Sequence, residues 1–390
     1  MMPVSYPFIE ITIDPNALTV VAERAPGVVA VVGESATGTA VAEVPTTVED
    51  AAEVNAKFGA NTRLGQSLKL ALAQSPRPSK FYGVKANGSP PSAAQYTSAL
   101  AALDAADDVT FVSLANEPAD LSATSPTDAT AKLAPLKQHV EDMSDAGQKR
   151  IGVAMVNPTA KSTNDVTNIK AKTAGLRGAK ARMVLVAARG AVRQGTAETA
   201  DIATASMAAF AGYAPHISML LKPVAGITFP LALQFSPGDI KGLSDEEIVP
   251  LIDPALISGD TLHFGEGTTY TGTTALQYID IVRVLDAIEF RLKAGLVGSV
   301  GDARITKAGL SAVKARIEGI LGSLVRSAVI DDFGISIPVL DALFIPDNAR
   351  TPADTNLIAT SRGNRRVEIT VSITYGPAVH LLRVTLAPKF

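Results

Sequence analysis

The sequence between residues 366 and 374 reads RVEITVSIT, in which polar and apolar residues alternate without a break. This period of two predicts a β-strand with one apolar face. A Gly376-Pro377 turn separates it from a second predicted strand over residues 379–386. Near the other end of the chain, residues 8–13 (FIEITI) alternate in the same way, and a strand-like run follows over residues 18–23. Both ends of the chain are therefore predicted to be β-strands.

These terminal strands need partners. Chain ends usually fray unless something holds them, and a strand with an exposed apolar face needs another strand's edge. That edge can belong to the chain's own sheet, in which case the first and last strands close one domain. It can also belong to another subunit, in which case the chain links to its neighbours by strand exchange. The alternating pattern leaves both interpretations open.

The middle of the chain predicts β-α units. Four short apolar runs rich in β-branched residues begin at residues 80, 109, 150 and 182. Spacings of roughly 30 to 40 residues are typical of parallel strands joined by crossover helices. Residues 92–106 and 129–146 carry helical patterns between these runs. Because parallel strands are buried on both faces, we predict an α/β domain over residues 25–235.

The last third of the sequence has a different character. Residues 238–272 are rich in turn-forming residues, and two amphipathic helices are predicted over residues 274–293 and 306–327. A strand over residues 334–339 and a loop that continues to Asn364 are predicted next. Helices followed by strands are typical of an α+β module. We assign residues 236–375 to this module, into whose sheet the N-terminal hairpin could also pair.

Composition limits the possible functions. The chain has 390 residues, a net charge of −3 and no cysteine. The charge predicts no attraction to nucleic acid or to an anionic membrane, and the cysteine count excludes disulfides and cysteine-ligated metals. No basic segment followed by a long apolar stretch is present, so we expect a soluble protein made in the cytoplasm. With 47% hydrophobic residues, the composition favours a protein that buries much surface in an assembly.

Motifs for catalysis are sparse. The glycine-containing loop at residues 33–39 lacks the lysine of a phosphate-binding loop, because Thr39 occupies its position. No histidines are spaced as metal ligands, and we expect His139 to lie on the surface of a polar helix. The acidic pairs at residues 107–108, 246–247 and 331–332 fit solvated turns. The sequence therefore predicts no enzyme, no cofactor and no metal site.

One predicted helix has an unusual charge. Residues 306–327 contain Lys307, Lys314, Arg316 and Arg326 but a single acid, Glu318. Lys307 and Lys314 are seven residues apart and therefore share a helix face. This pattern fits an ordinary solvated face or a helix that docks on an acidic partner.

Several segments in order carry a family resemblance. They are residues 25–33 (APGVVAVVG), 44–50 (VPTTVED), 57–59 (KFG) and 80–84 (KFYGV), followed by the late helix pair and the strands over residues 366–374 and 379–386. In this order the chain resembles contractile tail sheath proteins of bacteriophages, R-type bacteriocins and related contractile injection systems. The resemblance covers most of the chain, although the N-terminal segment is short and only one modest outer domain fits.

The resemblance implies a fold of α/β plus α+β class. An N-terminal arm (residues 1–24) would precede an outer α/β domain (25–235), which is inserted before an inner, tube-facing α+β domain (236–375). A C-terminal arm strand (376–390) would follow. The residues implied in strand exchange between subunits are Ile9, Ile11, Ile13, Val20, Val367, Ile369, Val371, Ile373, Leu382, Val384 and Leu386.

The resemblance also implies a function and partners. Sheath subunits polymerise as a helical stack of six-fold rings around a rigid tube, and contraction drives the tube through a target envelope. The implied partners are further copies of the chain, the inner tail tube protein, and baseplate and tail terminator proteins, with no nucleic acid, membrane insertion or cofactor. The location would be a virion tail or a contractile particle assembled in the bacterial cytoplasm. Lys307, Lys314, Arg316 and Arg326 are the candidate tube contacts.

Two other functions remain open from the sequence. An α/β enzyme that binds a nucleotide or small molecule, with an accessory C-terminal domain, would carry a ligand crevice at the carboxyl edge of its sheet. A different self-assembling protein, such as a tail tube or shell subunit, would also polymerise. The parallel β-α units argue against the tube subunit, since such proteins are usually smaller and all-β.

Overall fold

The structure is a computed structural model that describes residues 27–159, 165–257, 259 and 261–380. The predicted strands over residues 8–13 and 18–23, and residues 381–386 of the last predicted strand, lie outside this range. The described residues form two compact units. The α/β unit contains residues 27–287 and 375–380, and the C-terminal unit contains residues 288–374.

The strands of the α/β unit are β1 (Val28–Glu34), β2 (Thr46–Val48), β3 (Lys80–Ala86), β4 (Phe111–Ala119), β5 (Ile151–Val156), β6 (Met183–Ala187), β7 (Val192–Arg193), β8 (Pro223–Val224), β9 (Ile227–Thr228), β10 (Val249–Ile252) and β11 (Leu262–Phe264). Its helices are α1 (Ala51–Phe58), α2 (Arg63–Leu72), α3 (Ala93–Ala101), α4 (Pro126–Ala129), α5 (Ala134–Asp145), α6 (Val166–Thr173), α7 (Ile202–Gly212) and α8 (Pro237–Asp245). Helix α9 (Ile279–Leu296) begins in this unit and continues into the next.

One mixed sheet organises the α/β unit. Its nine strands lie in the order β2-β3-β1-β4-β5-β6-β10-β11-β8. The pairs from β3 to β10 are parallel, whereas β2, β11 and β8 pair antiparallel at the two sides. The four strands predicted from apolar runs are confirmed as β3, β4, β5 and β6. The predicted mixed α/β character of the chain is also confirmed.

Helices cover both faces of this sheet. Along β1, Val29 and Val31 face a core shared with α1, α2 and α7, while Val28, Ala30 and Val32 face a core shared with α3, α5 and α6. Every residue of this valine-rich run is almost completely buried, as expected for a central parallel strand. Packing explains the glycine at position 83 of β3, because a Cβ atom there would lie 2.5 Å from the ring of Phe58.

The α/β unit extends beyond the boundary expected at residue 235. Strands β10 and β11, within the turn-rich segment, join the same sheet as β6. The unit continues to Ala287. This segment belongs to the unit because Val249 and Leu251 are completely buried in the core of the sheet. The short apolar runs around them have weak periodicity, so the sequence did not predict these strands.

His139 and Arg150 form a buried polar cluster, so the expectation that His139 lies on the surface is wrong. His139 is 9% exposed and Arg150 is 0% exposed. Arg150 Nη1 lies 2.8 Å from His139 Nε2, and Nη2 donates to the carbonyl oxygens of Leu103 and Ala106 and to Gln148 Oε1. The guanidinium group of Arg150 thus fixes the loop after α3 through hydrogen bonds to its backbone.

The free energy of unfolding is expected to fall as the pH drops below about 6.5. Burial, followed by the charge of Arg150, lowers the pKa of His139 from 6.5 to about 4. Because the folded-state pKa is the lower one, the stabilisation is complete above the unfolded pKa and is lost as the pH falls towards 4. A shift of this size corresponds to a contribution on the order of 3 kcal/mol.

The measurement is denaturant unfolding of the wild type and His139→Gln between pH 7 and pH 4. The carboxylates titrate in both proteins, so the difference between the two free energies of unfolding reports the contribution of the His139 imidazole. Parallel pH profiles for the two proteins would contradict this interpretation.

The C-terminal unit contains α10 (Lys307–Arg326), β12 (Asp332–Ser336), α11 (Pro338–Phe344), α12 (Pro352–Asn364) and β13 (Thr370–Thr374). One small buried cluster of the unit consists of Leu310, Ile337, Val339, Leu340, Ala342, Leu343 and Ile358. Also buried on α10 are Ile317, Ile320, Leu321 and Leu324. The two predicted helices correspond to α9 and α10. Thr306 caps α10 by accepting from the backbone N–H of Gly309.

Two predictions in this unit are wrong. The strand expected over residues 334–339 ends at Ser336, and the segment expected to be a loop up to Asn364 contains α11 and α12. Pro338 and Pro352 each lie in the first turn of a helix. Proline is favoured there because the N–H that it lacks has no partner within the helix. A capping box between Thr351 and Asp354 adds to the start of α12.

None of the helices in the described part of the chain has both the length and the apolar composition of a membrane span.

Candidate functional site

The strongest candidate site is the small sheet of the C-terminal unit. Strands β12 and β13 pair antiparallel over five residues, with Phe333 opposite Ile373 and Ile335 opposite Val371. These four side chains are half-buried, while the alternate side chains of both strands are exposed. Ile335, Val367 and Ile369 pack against the small core beneath. The alternation predicted for residues 366–374 therefore produces one apolar face and one solvated face.

Neither edge of this sheet pairs with another strand of the described residues. Within residues 27–159, 165–257 and 261–380, β12 and β13 pair only with each other. On each strand the backbone N–H and C=O groups of alternate residues point to the outer edge, over a length of roughly 17 Å. Isolated two-stranded sheets are marginally stable in water, and open edges are templates for further strands. This sheet can accept one strand on each side.

The residues predicted for strand exchange divide into two groups. Val371 and Ile373 lie on β13, and Val367 and Ile369 lie just before it. Ile9, Ile11, Ile13, Val20, Leu382, Val384 and Leu386 lie outside the described residues. The structure thus places the predicted receiving residues together, and the donor strands remain predictions.

The predicted tube contacts do not form one surface. With about 100° per residue, Lys307 and Lys314 lie within about 20° of each other, whereas Arg316 lies on the other side of α10. The buried face of the helix runs between these two sides. Lys307 Nζ lies 5.8 Å from the centre of the Phe344 ring, and Arg316 Nη1 lies 3.5 Å from Ser299 Oγ.

Arg326 is placed differently, near the end of α10. It is exposed and lies away from the buried stripe of the helix. Its charge also lies in the last turn, where a cation is favoured by the helix dipole. Of the four predicted residues, it is best placed to meet a partner.

The carboxyl edge of the large sheet is the second candidate. The parallel strands β3-β1-β4-β5-β6 have the order 2-1-3-4-5 when they are counted along the chain. In this type of fold, ligands bind where the order reverses, here between β1 and β4. Glu34 ends β1 and Glu117 lies near the end of β4.

Ion pairs of the chain itself occupy this position. Arg63, the first residue of α2, lies 3.8 Å from Glu34 Oε2 and 3.7 Å from Glu117 Oε2. Glu117, which is 8% exposed, also lies 3.2 Å from Lys132 Nζ and accepts from Tyr96 Oη at 3.0 Å. Burial, reinforced by Glu117, raises the pKa of Tyr96 far above its usual range. Tyr96 therefore remains a hydrogen-bond donor.

The sequence did not lead us to predict these ion pairs, although the positions of two acidic residues pointed to them. Glu34 and Glu117 each lie at or near the end of an apolar run, which is where parallel strands bring polar groups together. In the neighbouring loop, the Ser35 hydroxyl donates to the carbonyls of Thr37 and Phe58. The arrangement is a set of satisfied structural contacts, with Arg63 bridging the two strand ends.

The other sequence candidates also have structural partners. Asp108 pairs with Lys80 at 2.8 Å, and Glu247 pairs with Arg177 at 2.8 Å. The described residues contain no group of three or more histidine, aspartate or glutamate side chains placed to hold a metal ion.

Comparison with known proteins identifies the fold. No protein-family model matches the chain, and no curated protein matches its sequence. Solved structures do match. The sheath complex of the extracellular contractile injection system PVC, in its contracted state, gives a TM-score of 0.67 at 13% identity, over 99% of this chain and 98% of that one.

Two further structures agree. The helical sheath of the anti-feeding prophage, in its contracted state, gives a TM-score of 0.65 at 14% identity, over 98% of this chain and 99% of that one. The sheath tail protein from Desulfitobacterium hafniense gives 0.59 at 13% identity, over 85% of this chain and 93% of that one. The resemblance noted in the sequence is confirmed at the level of the fold: the chain has the fold of contractile sheath proteins.

Proposed function

We propose that the chain is a structural subunit of a contractile tail sheath. The observation that carries this proposal is the β12–β13 sheet, whose two edges pair with no other strand of the described residues, in a chain whose fold matches sheath proteins over nearly its full length. An isolated sheet of two short strands gains most from additional strands. The terminal segments of the chain alternate polar and apolar residues as such strands require.

In this mechanism, strands from neighbouring copies add to the two edges. Residues 8–23 supply one strand and residues 379–386 the other, so that each sheet joins several subunits. Each main-chain hydrogen bond contributes roughly 0.5–1.5 kcal/mol net, and several bonds per edge make a firm joint. The period of two fixes the register, because a slip by one residue would turn the apolar side chains to solvent.

The finer features of the proposal follow from sheath assembly. Subunits form six-fold rings stacked around a rigid inner tube, and contraction drives the tube through a target envelope. Strand joints stay intact while contacts with the tube break. Baseplate and tail terminator proteins lie at the two ends of the stack.

The tube contacts that we propose lie on α10. Exposed ion pairs contribute on the order of 0–1 kcal/mol each, which suits contacts that contraction must break. The four cations are spread around the helix and do not form one surface. Arg326 is the principal candidate because it is exposed and lies away from the buried stripe. In co-sedimentation with isolated tubes, Arg326→Glu should bind less than Arg304→Glu, an exposed control outside the helix. Equal binding by the two variants would remove Arg326 from the tube interface.

An α/β enzyme is the alternative, and the structure offers it little support. Its ligand crevice would lie at the β1/β4 edge, where the cations Arg63 and Lys132 already pair with the carboxylates of Glu34 and Glu117.

Electron microscopy of the concentrated, purified chain tests the sheath function. We expect hollow striated cylinders built from stacked rings, and sizing at two salt concentrations should show that the strand joints resist salt. Main-chain hydrogen bonds and apolar contacts, unlike exposed ion pairs, are only weakly screened by salt. A uniform small particle at every concentration would contradict self-assembly and redirect attention to the crevice.

A further inference from the structure

Residues 375–380, which follow β13, return to the α/β unit and contact it at two points. Tyr375 Oη donates to Asp280 Oδ2 at 2.6 Å. At the other end of the segment, His380 Nε2 lies 2.8 Å from Ser218 Oγ and Nδ1 lies 3.2 Å from Glu266 Oε1. The His380 ring also meets Tyr278 edge-on, with ring centres 4.9 Å apart.

The two contact points differ from the residues between them. Tyr375 and His380 are partly buried, whereas residues 376–379 are exposed and Val379 is 76% exposed. Burial, followed by the hydrogen bond to Asp280, raises the pKa of Tyr375, so its hydroxyl stays a donor over the working pH range. The segment is therefore attached at its ends by a few polar contacts.

These contacts compete with strand exchange. His380 is the second residue of the segment predicted to pair with a neighbour's sheet, residues 379–386. Residues 375–380 form no strand in the structure. A strand that starts at residue 379 cannot pair along its full length while His380 is held at Ser218 and Glu266.

We propose that Tyr375 and His380 form an intrachain clasp that holds the start of the C-terminal strand on its own subunit and slows strand exchange before assembly. This inference rests on the proposed sheath function. The clasp is held by a few hydrogen bonds, each of modest net strength. A neighbour that offers a whole sheet edge can therefore displace it.

The first test removes the clasp without altering the predicted strand. The double variant Tyr375→Phe/Ser218→Ala deletes two hydroxyl groups, and light scattering follows polymerisation of the full chain. Losing two hydrogen bonds should raise the open fraction and shorten the lag about tenfold. Tyr82→Phe/Ser98→Ala deletes the same groups elsewhere in the α/β unit and should keep the wild-type lag. An unchanged or longer lag in the clasp variant overturns the inference.

The second test closes the clasp covalently. Because the chain has no cysteine, Ser218→Cys/His380→Cys can be crosslinked selectively with a short bis-maleimide. We expect efficient crosslinking within single subunits and polymerisation at least tenfold slower than for the same variant left unmodified. Failure to crosslink, or equal polymerisation after crosslinking, overturns the clasp while leaving the sheath function intact. If the wild type itself never polymerises, the sheath function fails and the clasp with it.

Discussion

Replacing Arg150 by methionine is expected to lower the free energy of unfolding of the α/β unit by on the order of 3 kcal/mol. Arg150 is completely buried and donates to the carbonyl oxygens of Leu103 and Ala106. Methionine fills similar space but cannot donate, so these buried acceptors and Gln148 Oε1 lose their partner. The loop between α3 and β4 then loses its main connection to β5.

Denaturant unfolding at neutral pH measures this effect. Arg326→Met is the matched control, since it removes an exposed arginine and should change the free energy of unfolding by less than about 0.5 kcal/mol. Arg150→Lys keeps the charge without the planar donor fork, and we expect it to lie between the other two. If Arg150→Met is as stable as the wild type, the cost of burying the cation equals the gain from its hydrogen bonds.

Ending the chain after His380 is expected to abolish polymerisation while the subunit stays folded. The truncation removes residues 381–390, which contain most of the predicted exchange strand, and leaves β13 and the clasp residues in place. Each sheet then loses one neighbouring strand, and the loss recurs at every subunit of the polymer. We expect the free energy of unfolding to change by less than about 1 kcal/mol, the usual range for surface changes.

Electron microscopy and denaturant unfolding of the truncated chain together decide the outcome. A chain that loses cylinders and keeps its stability supports strand exchange. A chain that unfolds shows instead that the last strand belongs to its own subunit's core. Substituting Ala378 by serine, at an exposed position that precedes the predicted exchange strand, controls for the effects of changing the same region without shortening it.

The sequence predicted the parts of the fold that repeat a simple pattern. The runs around residues 80–86 and 151–156 are both confirmed as strands. The second is the clearer, because all six of its residues are buried and therefore apolar, as is typical of a central parallel strand. The amphipathic stripe of α10 and the alternation of β13 were equally clear. In the candidate site, the strand predicted over residues 366–374 is present but begins only at Thr370, and the strand predicted over residues 334–339 runs instead from Asp332 to Ser336.

Other predictions were wrong for identifiable physical reasons. The segment predicted as a loop up to Asn364 contains Pro352, but this proline lies in the first turn of α12, where proline is favoured. His139 was expected to be exposed because its helix is polar. Its burial depends on Arg150, a residue that follows the helix and lies at the start of the next strand.

The sequence by itself determined the strands and helices that have a strong local period, since that information lies in local periodicity and capping. The strands that it predicts at the chain ends, over residues 8–13, 18–23 and 379–386, lie almost entirely outside the described residues and stay predictions. Only the tertiary structure decided which strands are neighbours. It therefore decided that Arg63 bridges Glu34 and Glu117, that β12 and β13 pair with no third strand in the described part of the chain, and that Tyr375 and His380 meet Asp280 and Ser218. These contacts join residues up to 162 positions apart. No local pattern encodes such a pairing, because it depends on the order in which the strands lie side by side.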